Sequence, residues 1–166
     1  GGIVIFAKTK EALLAVDALI RARKLRKFYH CIVRGTPKPP EGVLKHFLLK
    51  GEKRVRVLDR PERGAQTAET RYRTLEARGD VSLVECELIT GRTHQIRVHM
   101  ASTGHPLAGD AVYGPKNCIK SLNGQCLHAK ELGFVHPRTG EWMQFDSPLP
   151  PYFEDFITRL RKEHRA

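Results

Sequence analysis

Nine consecutive residues, Gly91 to His99, read GRTHQIRVH and gather two arginines, two histidines, a glutamine and a threonine. That density of hydrogen-bond donors suits an anion. Arg92 and Arg97 offer planar, permanently charged forks, and a helix opening at Thr93 would add free backbone N–H groups and a positive dipole end. Arg97 lies three to four residues from Thr93 and His94 and so shares their helix face, while Ile96, Val98 and Met100 supply apolar surface. The segment follows an apolar strand and is expected to be packed, so Arg97 needs an acidic partner or an anionic ligand. The bland alternative is a solvated polar face.

Other chemistries find less support. His94 and His99 are five residues apart, off the i, i+4 spacing that sets two zinc ligands on one helix face, and no thiol pair accompanies them or His105. Cys118, Cys126 and His128 are as loosely spaced. There is no Walker A, GxGxxG, GxSxG or HExxH motif, so nucleotide cofactors and serine-hydrolase chemistry are unsupported. Six aspartates (17, 59, 80, 110, 146 and 155) include no pair spaced as acid and base. Asp110, in AGDAVYG, sits in a loop beside the donor-rich motif, where a loop-capping carboxylate is the natural reading. Tyr29, in RKFYHCIV, is an aromatic among basic residues. Beside Arg26 and Lys27 its ring could be a core residue or a platform for a base, a stacking worth about 1–3 kcal/mol.

Gly2 to Ala7 is expected as a buried strand, and Thr9 can cap a helix from Lys10 to about Lys24 with Leu13, Val16 and Ile20 on one face. Lys27 to Val33 alternates as a strand, the breaker-rich RGTPKPPEG ends it, and Arg54 to Leu58 is a short basic strand. PERGAQTAET reads as a polar loop. Thr70–Glu76 and Val81–Leu88, separated by ARGD, predict a hairpin. Thr93 to Ser102 is helical, stopping at Thr103-Gly104, and a Gly-rich loop follows. Leu127–Val135 and Glu141–Phe145 flank HPRTG as a second hairpin, and Tyr152–Glu163 closes as a helix. Hairpin-length connections favour an α+β fold with a mixed, largely antiparallel twisted sheet flanked by helices.

At 166 residues the chain is expected to be one domain. It carries 29 Lys and Arg against 18 Asp and Glu, a net charge of +11, so nucleic acid leads the possible partners. No amphipathic basic helix or long apolar span supports a membrane role. Four cysteines without a CxxC pairing point to reduced thiols in a cytoplasmic protein. The chain opens GGIVIFAK, without methionine and without the features of a signal peptide, and is expected to lack an upstream portion.

Four stretches, RKFYHCIVRG, AETRYRTLE, GRTHQIRVHMASTGHPLAGDAVYG and CLHAKELGFVHPRTGEWMQFDSPLP, in this order and spacing, resemble the catalytic domain of RluA-type pseudouridine synthases over nearly the whole chain. The resemblance implies an isomerase that converts uridine to pseudouridine in structured RNA, ribosomal or transfer, with no cofactor and no metal; nothing in the sequence suggests an obligate dimer, and a monomer is expected. The resemblance also implies catalytic roles for Arg97, as partner of the nucleophilic aspartate, and for Tyr29, packed on the flipped uracil. The candidate RNA contacts are Lys27, Arg92, Thr93, His94, Gln95 and His99. The family's aspartate lies in a segment resembling HRLDxxTSGL whose end corresponds to Gly1–Ile3, which sets it about four positions before Gly1. This chain is then expected to be inactive alone, as one catalytic domain, 1–166, missing its N-terminal part. The alternative is a non-catalytic RNA-binding module derived from the same fold.

Overall fold

The first helix starts where Thr9 can cap it: Thr9 Oγ1 accepts the Ala12 N–H at 3.0 Å, and Lys10–Arg21 (α1) follows. The computed structural model describes residues 2–115 and 124–163. Strands Arg26–Arg34 (β1), Glu41–Lys50 (β2), Val55–Leu58 (β3), Gln66–Arg78 (β4) and Val81–Leu88 (β5) come next. Helix Gln95–Ser102 (α2), strands Leu127–Val135 (β6) and Trp142–Asp146 (β7), and helix Pro151–Glu163 (α3) complete the order. The seven strands form one sheet, β3-β2-β4-β5-β1-β6-β7, and every ladder between them is antiparallel. The fold is α+β, as expected. The parallel element among the described residues is a single bridge, Gly2 to Ala129.

The pleat divides the core in two. Tyr29, Cys31 and Val33 of β1 join Tyr72, Val84 and Cys86 on one face, where Ile96 and Met100 of α2 cover them. Ile32 turns to the opposite face and meets Phe153, Phe156 and Ile157 of α3. The β4–β5 hairpin closes through Gly79-Asp80, with Gly79 at φ +61 as a tight two-residue connection requires.

Four expectations need correction. Gly2–Ala7 is not a buried strand: Val4 is 69% and Phe6 84% exposed, and beyond the Gly2 bridge the segment has no ladder. Ile3 alone of this stretch reaches a core cluster, that of Leu25, Leu132 and Phe134. Helix α1 ends at Arg21 and rests on a narrow stripe of Ala12, Ala15, Val16 and Leu19, which turns Leu13 and Ile20 outward. Residues 66–70 of the expected polar loop belong to β4, because its inward positions, Ala68 and Thr70, are small enough to pass beneath α2. Strand β2 has no counterpart in the sequence reading. Its run His46-Phe47-Leu48-Leu49 blurs the period-two signal.

Candidate active site and nucleic-acid interface

Helix α2 positions most of the motif, and it starts two residues later than expected. His94 is its N-cap and takes a left-handed backbone, φ 54, with no side-chain cap. The entry is fixed by Gln95 instead. Its Oε1 accepts the Arg92 N–H at 3.0 Å and the Thr90 hydroxyl at 2.7 Å, while its Nε2 donates to the Glu69 carbonyl and to Thr70 Oγ1, each at 2.9 Å. All four hydrogen-bonding positions of the buried amide are filled. Thr70 Oγ1 also hydrogen-bonds His99 Nδ1, 2.7 Å away. Burial, and then the neighbouring His46, pull His99 down to about 4, so it is neutral near pH 7.

This geometry revises two of the expected RNA contacts. Gln95 and His99 are buried, and their polar atoms point to β4 rather than to a surface that RNA could touch. Their work is to hold the start of α2 against the sheet.

Arg97 leaves the helix on the other side. Its Nε and Nη2 donate to Asp110 Oδ2 and Oδ1 at 2.8 and 3.0 Å, a two-pronged pair in which Arg97 is 12% and Asp110 0% exposed. Asp110 Oδ1 also accepts the N–H groups of Val112 and Tyr113 at 3.1 and 3.2 Å, so the carboxylate caps its own loop as well. Burial pushes the Asp110 carboxyl up, but the Arg97 and backbone hydrogen bonds and the Arg97 charge outweigh it, and the net shift is below the ordinary value. Three of the four donors converge on Oδ1, and Arg97 Nε holds Oδ2. Arg97 keeps Nη1 without a partner among the described residues.

Tyr113 then ties three elements together. The Arg97 and Arg54 guanidinium groups each lie over its ring, at 5.2 and 5.3 Å from the ring centre. Its hydroxyl accepts the Val55 N–H at 2.9 Å and hydrogen-bonds His94 Nδ1 at 2.8 Å. Burial and the Arg97 charge lower His94 below its ordinary value. Sequence reading missed Tyr113 and Arg54. The available signal was the AVYG that sets Tyr113 three residues after Asp110 in a Gly-rich loop.

The remaining predicted residues fall into two places. Tyr29 is half-buried on the α2 side of β1, against the same cluster as Ile96, and burial raises its hydroxyl. Lys27, Gly91 and Arg92 line one cavity, and Arg92 Nε donates to the Thr67 carbonyl at 2.8 Å. Thr93 is exposed beside them. Among the described residues no group of three or more His, Cys, Asp or Glu is placed to hold a metal ion; Cys118 lies outside those residues.

Residues 1–102 match the family described as RNA pseudouridylate synthase. The chain is 43% identical over 162 residues to an uncharacterized RNA pseudouridine synthase of Bacillus subtilis, covering 97% of this chain and 52% of the relative. Its identity to the ribosomal large subunit pseudouridine synthase C of Vibrio parahaemolyticus is 37% over 167 residues, covering 97% of this chain and 52% of the relative. The chain therefore spans about half the length of the curated relatives it matches. Among solved structures, human RNA pseudouridylate synthase domain containing 4 superposes with a TM-score of 0.76 at 26% identity, over 92% of this chain and 69% of that one.

Proposed function

The chain belongs to the RNA pseudouridylate synthase family, and on that premise we propose that its parent protein isomerises specific uridines of ribosomal or transfer RNA to pseudouridine. The target nucleotide is flipped from its stem-loop into the site, because the bond to be cut is inaccessible in a stacked base. The N1–C1′ bond breaks, C5 bonds to C1′, the hydrogen on C5 leaves to solvent, and N1 takes up a proton. Atoms balance without a cofactor or a metal.

The observation that carries this reading is the partly buried Arg97. Its fork is half used by Asp110, and Nη1 remains for a second anion. Asp110 itself is a poor nucleophile, with four donors on its oxygens and no exposed side-chain surface. We therefore assign the nucleophilic aspartate to residues that precede Gly1, and we expect these 166 residues alone to be inactive. The backbone offers a route for such a segment. Gly2 bridges Ala129 in parallel, and a Cβ at Gly2 would overlap the Ala129 backbone, so only glycine brings the chain this close to β6. Tyr29, paired with the same Ala129, would floor the uracil. A ribosomal substrate is favoured by the similarity to the Vibrio ribosomal large subunit synthase, and a reducing, cytoplasmic setting by the three buried free thiols Cys31, Cys86 and Cys126.

The test is Arg97→Ala in the protein that includes the upstream residues. Turnover should vanish, while RNA binding, which rests on many cations, should persist. Wild-type turnover would remove Arg97 from the mechanism. For Tyr29, the phenylalanine variant should retain more activity than the alanine variant if the ring stacks; equal loss in both would assign the role to the hydroxyl.

A further inference from the structure

Four cations line a cavity of about 260 Å³ between the end of α1 and the loop that leads into α2: Arg21, Arg23, Lys27 and Arg92. No carboxylate lines it. Arg21, Arg23 and the Lys27 ammonium have no hydrogen-bond or ion-pair partner among the described residues. This contrasts with the sheet's other face, where Arg26 of β1 and Arg73 of β4 each have a glutamate of β5. Like charges gathered without a counter-ion repel one another, and the arrangement is favourable only when an anion fills it.

The local backbone is built around these side chains. Gly91 packs so closely on Lys27 that a Cβ would stand 2.9 Å from Nζ, and burial lowers the ammonium below its ordinary value. Arg23 occupies the left-handed position after α1, φ 56, where Lys24 N–H reaches the Leu19 carbonyl at 2.9 Å and Arg23 N–H the Ile20 carbonyl at 3.1 Å. That helix ending ordinarily takes glycine, because a side chain there is strained. Here an arginine holds it and projects into the cavity.

We infer that this cavity is a phosphate pocket, which seats one phosphodiester of the RNA strand next to the target uridine between Arg21, Arg23, Lys27 and Arg92. The inference rests on the RNA reading proposed above and adds Arg21 and Arg23, which lie outside the donor-rich motif. Its volume holds a phosphate group with several waters, at about 30 Å³ of liquid volume per water. Lys27 is two residues from Tyr29 on β1, so both side chains leave the same face of one strand. The pocket would then fix the backbone of the nucleotide whose base that ring supports.

Arg23→Gly separates this role from a structural one, because its two effects run in opposite directions. Relief of the left-handed strain should raise the Tm by about 3 °C. Affinity for a uridine-bearing RNA hairpin, read by fluorescence anisotropy, should fall about tenfold, the scale of one charge-assisted hydrogen bond. The slope of log affinity against log salt should shrink by about 0.7, one phosphate's share on a single strand. One methylphosphonate linkage in the hairpin should weaken the wild type but not the variant. Unchanged affinity and slope in Arg23→Gly, with RNA still bound, would overturn the pocket and leave the RNA reading standing. An equal loss in Lys8→Gln, remote from the cavity, would overturn it too, by assigning the effect to net charge. Absence of RNA binding in every form would remove the RNA reading and the pocket with it.

Discussion

Replacing Asp110 by asparagine keeps the shape of the side chain but removes its charge, and it turns an N–H₂ group toward the Arg97 fork. The stranded guanidinium, 12% exposed, has no other acidic partner among the described residues. Breaking a buried pair from one side costs about 3–5 kcal/mol. In a domain of this size that lowers the Tm by about 10 °C. Adding Arg97→Leu should recover part of the loss, since the variant asparagine can still accept the Val112 and Tyr113 N–H groups while no cation is left unpaired. Urea unfolding of wild type, both single variants and the double variant yields the coupling directly. The pH dependence adds a second reading. The folded carboxyl lies below its unfolded value, so its stabilisation is complete above the unfolded pKa of about 3.9 and is lost as pH falls through the folded one. The gap between wild type and Asp110→Asn should be constant from about pH 7 to 5 and close below about pH 4. Strictly additive single variants, or a gap that persists in acid, would refute the ion pair as what holds this loop on α2.

Three further outcomes follow from the same contacts. Gln95→Leu leaves the Thr90 hydroxyl proton and the Arg92 N–H without an acceptor, so unfolding should become easier by about 3 kcal/mol, measured in urea; a loss under about 1 kcal/mol would mean water replaces the amide. His99 has a folded pKa of about 4 against about 6.5 unfolded. The unfolded chain alone takes up that proton between the two, and stability should decline by about 3 kcal/mol from pH 6.5 to 4, a decline that His99→Asn removes. An NMR titration placing the His99 ring near 6.5 would contradict this. Phe153→Ala, at a fully buried position of α3, should cost about 3–5 kcal/mol by denaturation without altering the α2 face.

The parts of the fold that follow local rules were legible in the sequence. Thr9 caps α1, the Gly-Asp turn joins β4 to β5, and β6 spans the expected residues. Residues whose environment is set by distant partners were not. Gln95 and His99 look like donors for RNA because they are polar and stand within a charged motif, yet β4, some 25 to 29 residues earlier, supplies Thr70 to draw both inward. Gly2–Ala7 has the composition of a buried strand, but the structure gives it only one bridging residue. The need of Arg97 for an acidic partner was readable from its apolar surroundings, whereas the identity of Asp110 depends on a loop of no regular period. Tyr113 and Arg54 meet across the chain through a ring and a cation, a contact with no sequence signature.

Hydrogen release from C5 of uridine tests the central claim most directly, because isomerisation cannot proceed without it and binding alone never produces it. A ribosomal RNA fragment carrying tritium at C5 of its uridines is incubated with the protein extended by the residues that precede Gly1. The expected result is tritium in water, rising in step with pseudouridine and lost in Arg97→Ala. Tight RNA binding with tritium fully retained would contradict a synthase and leave a binding module.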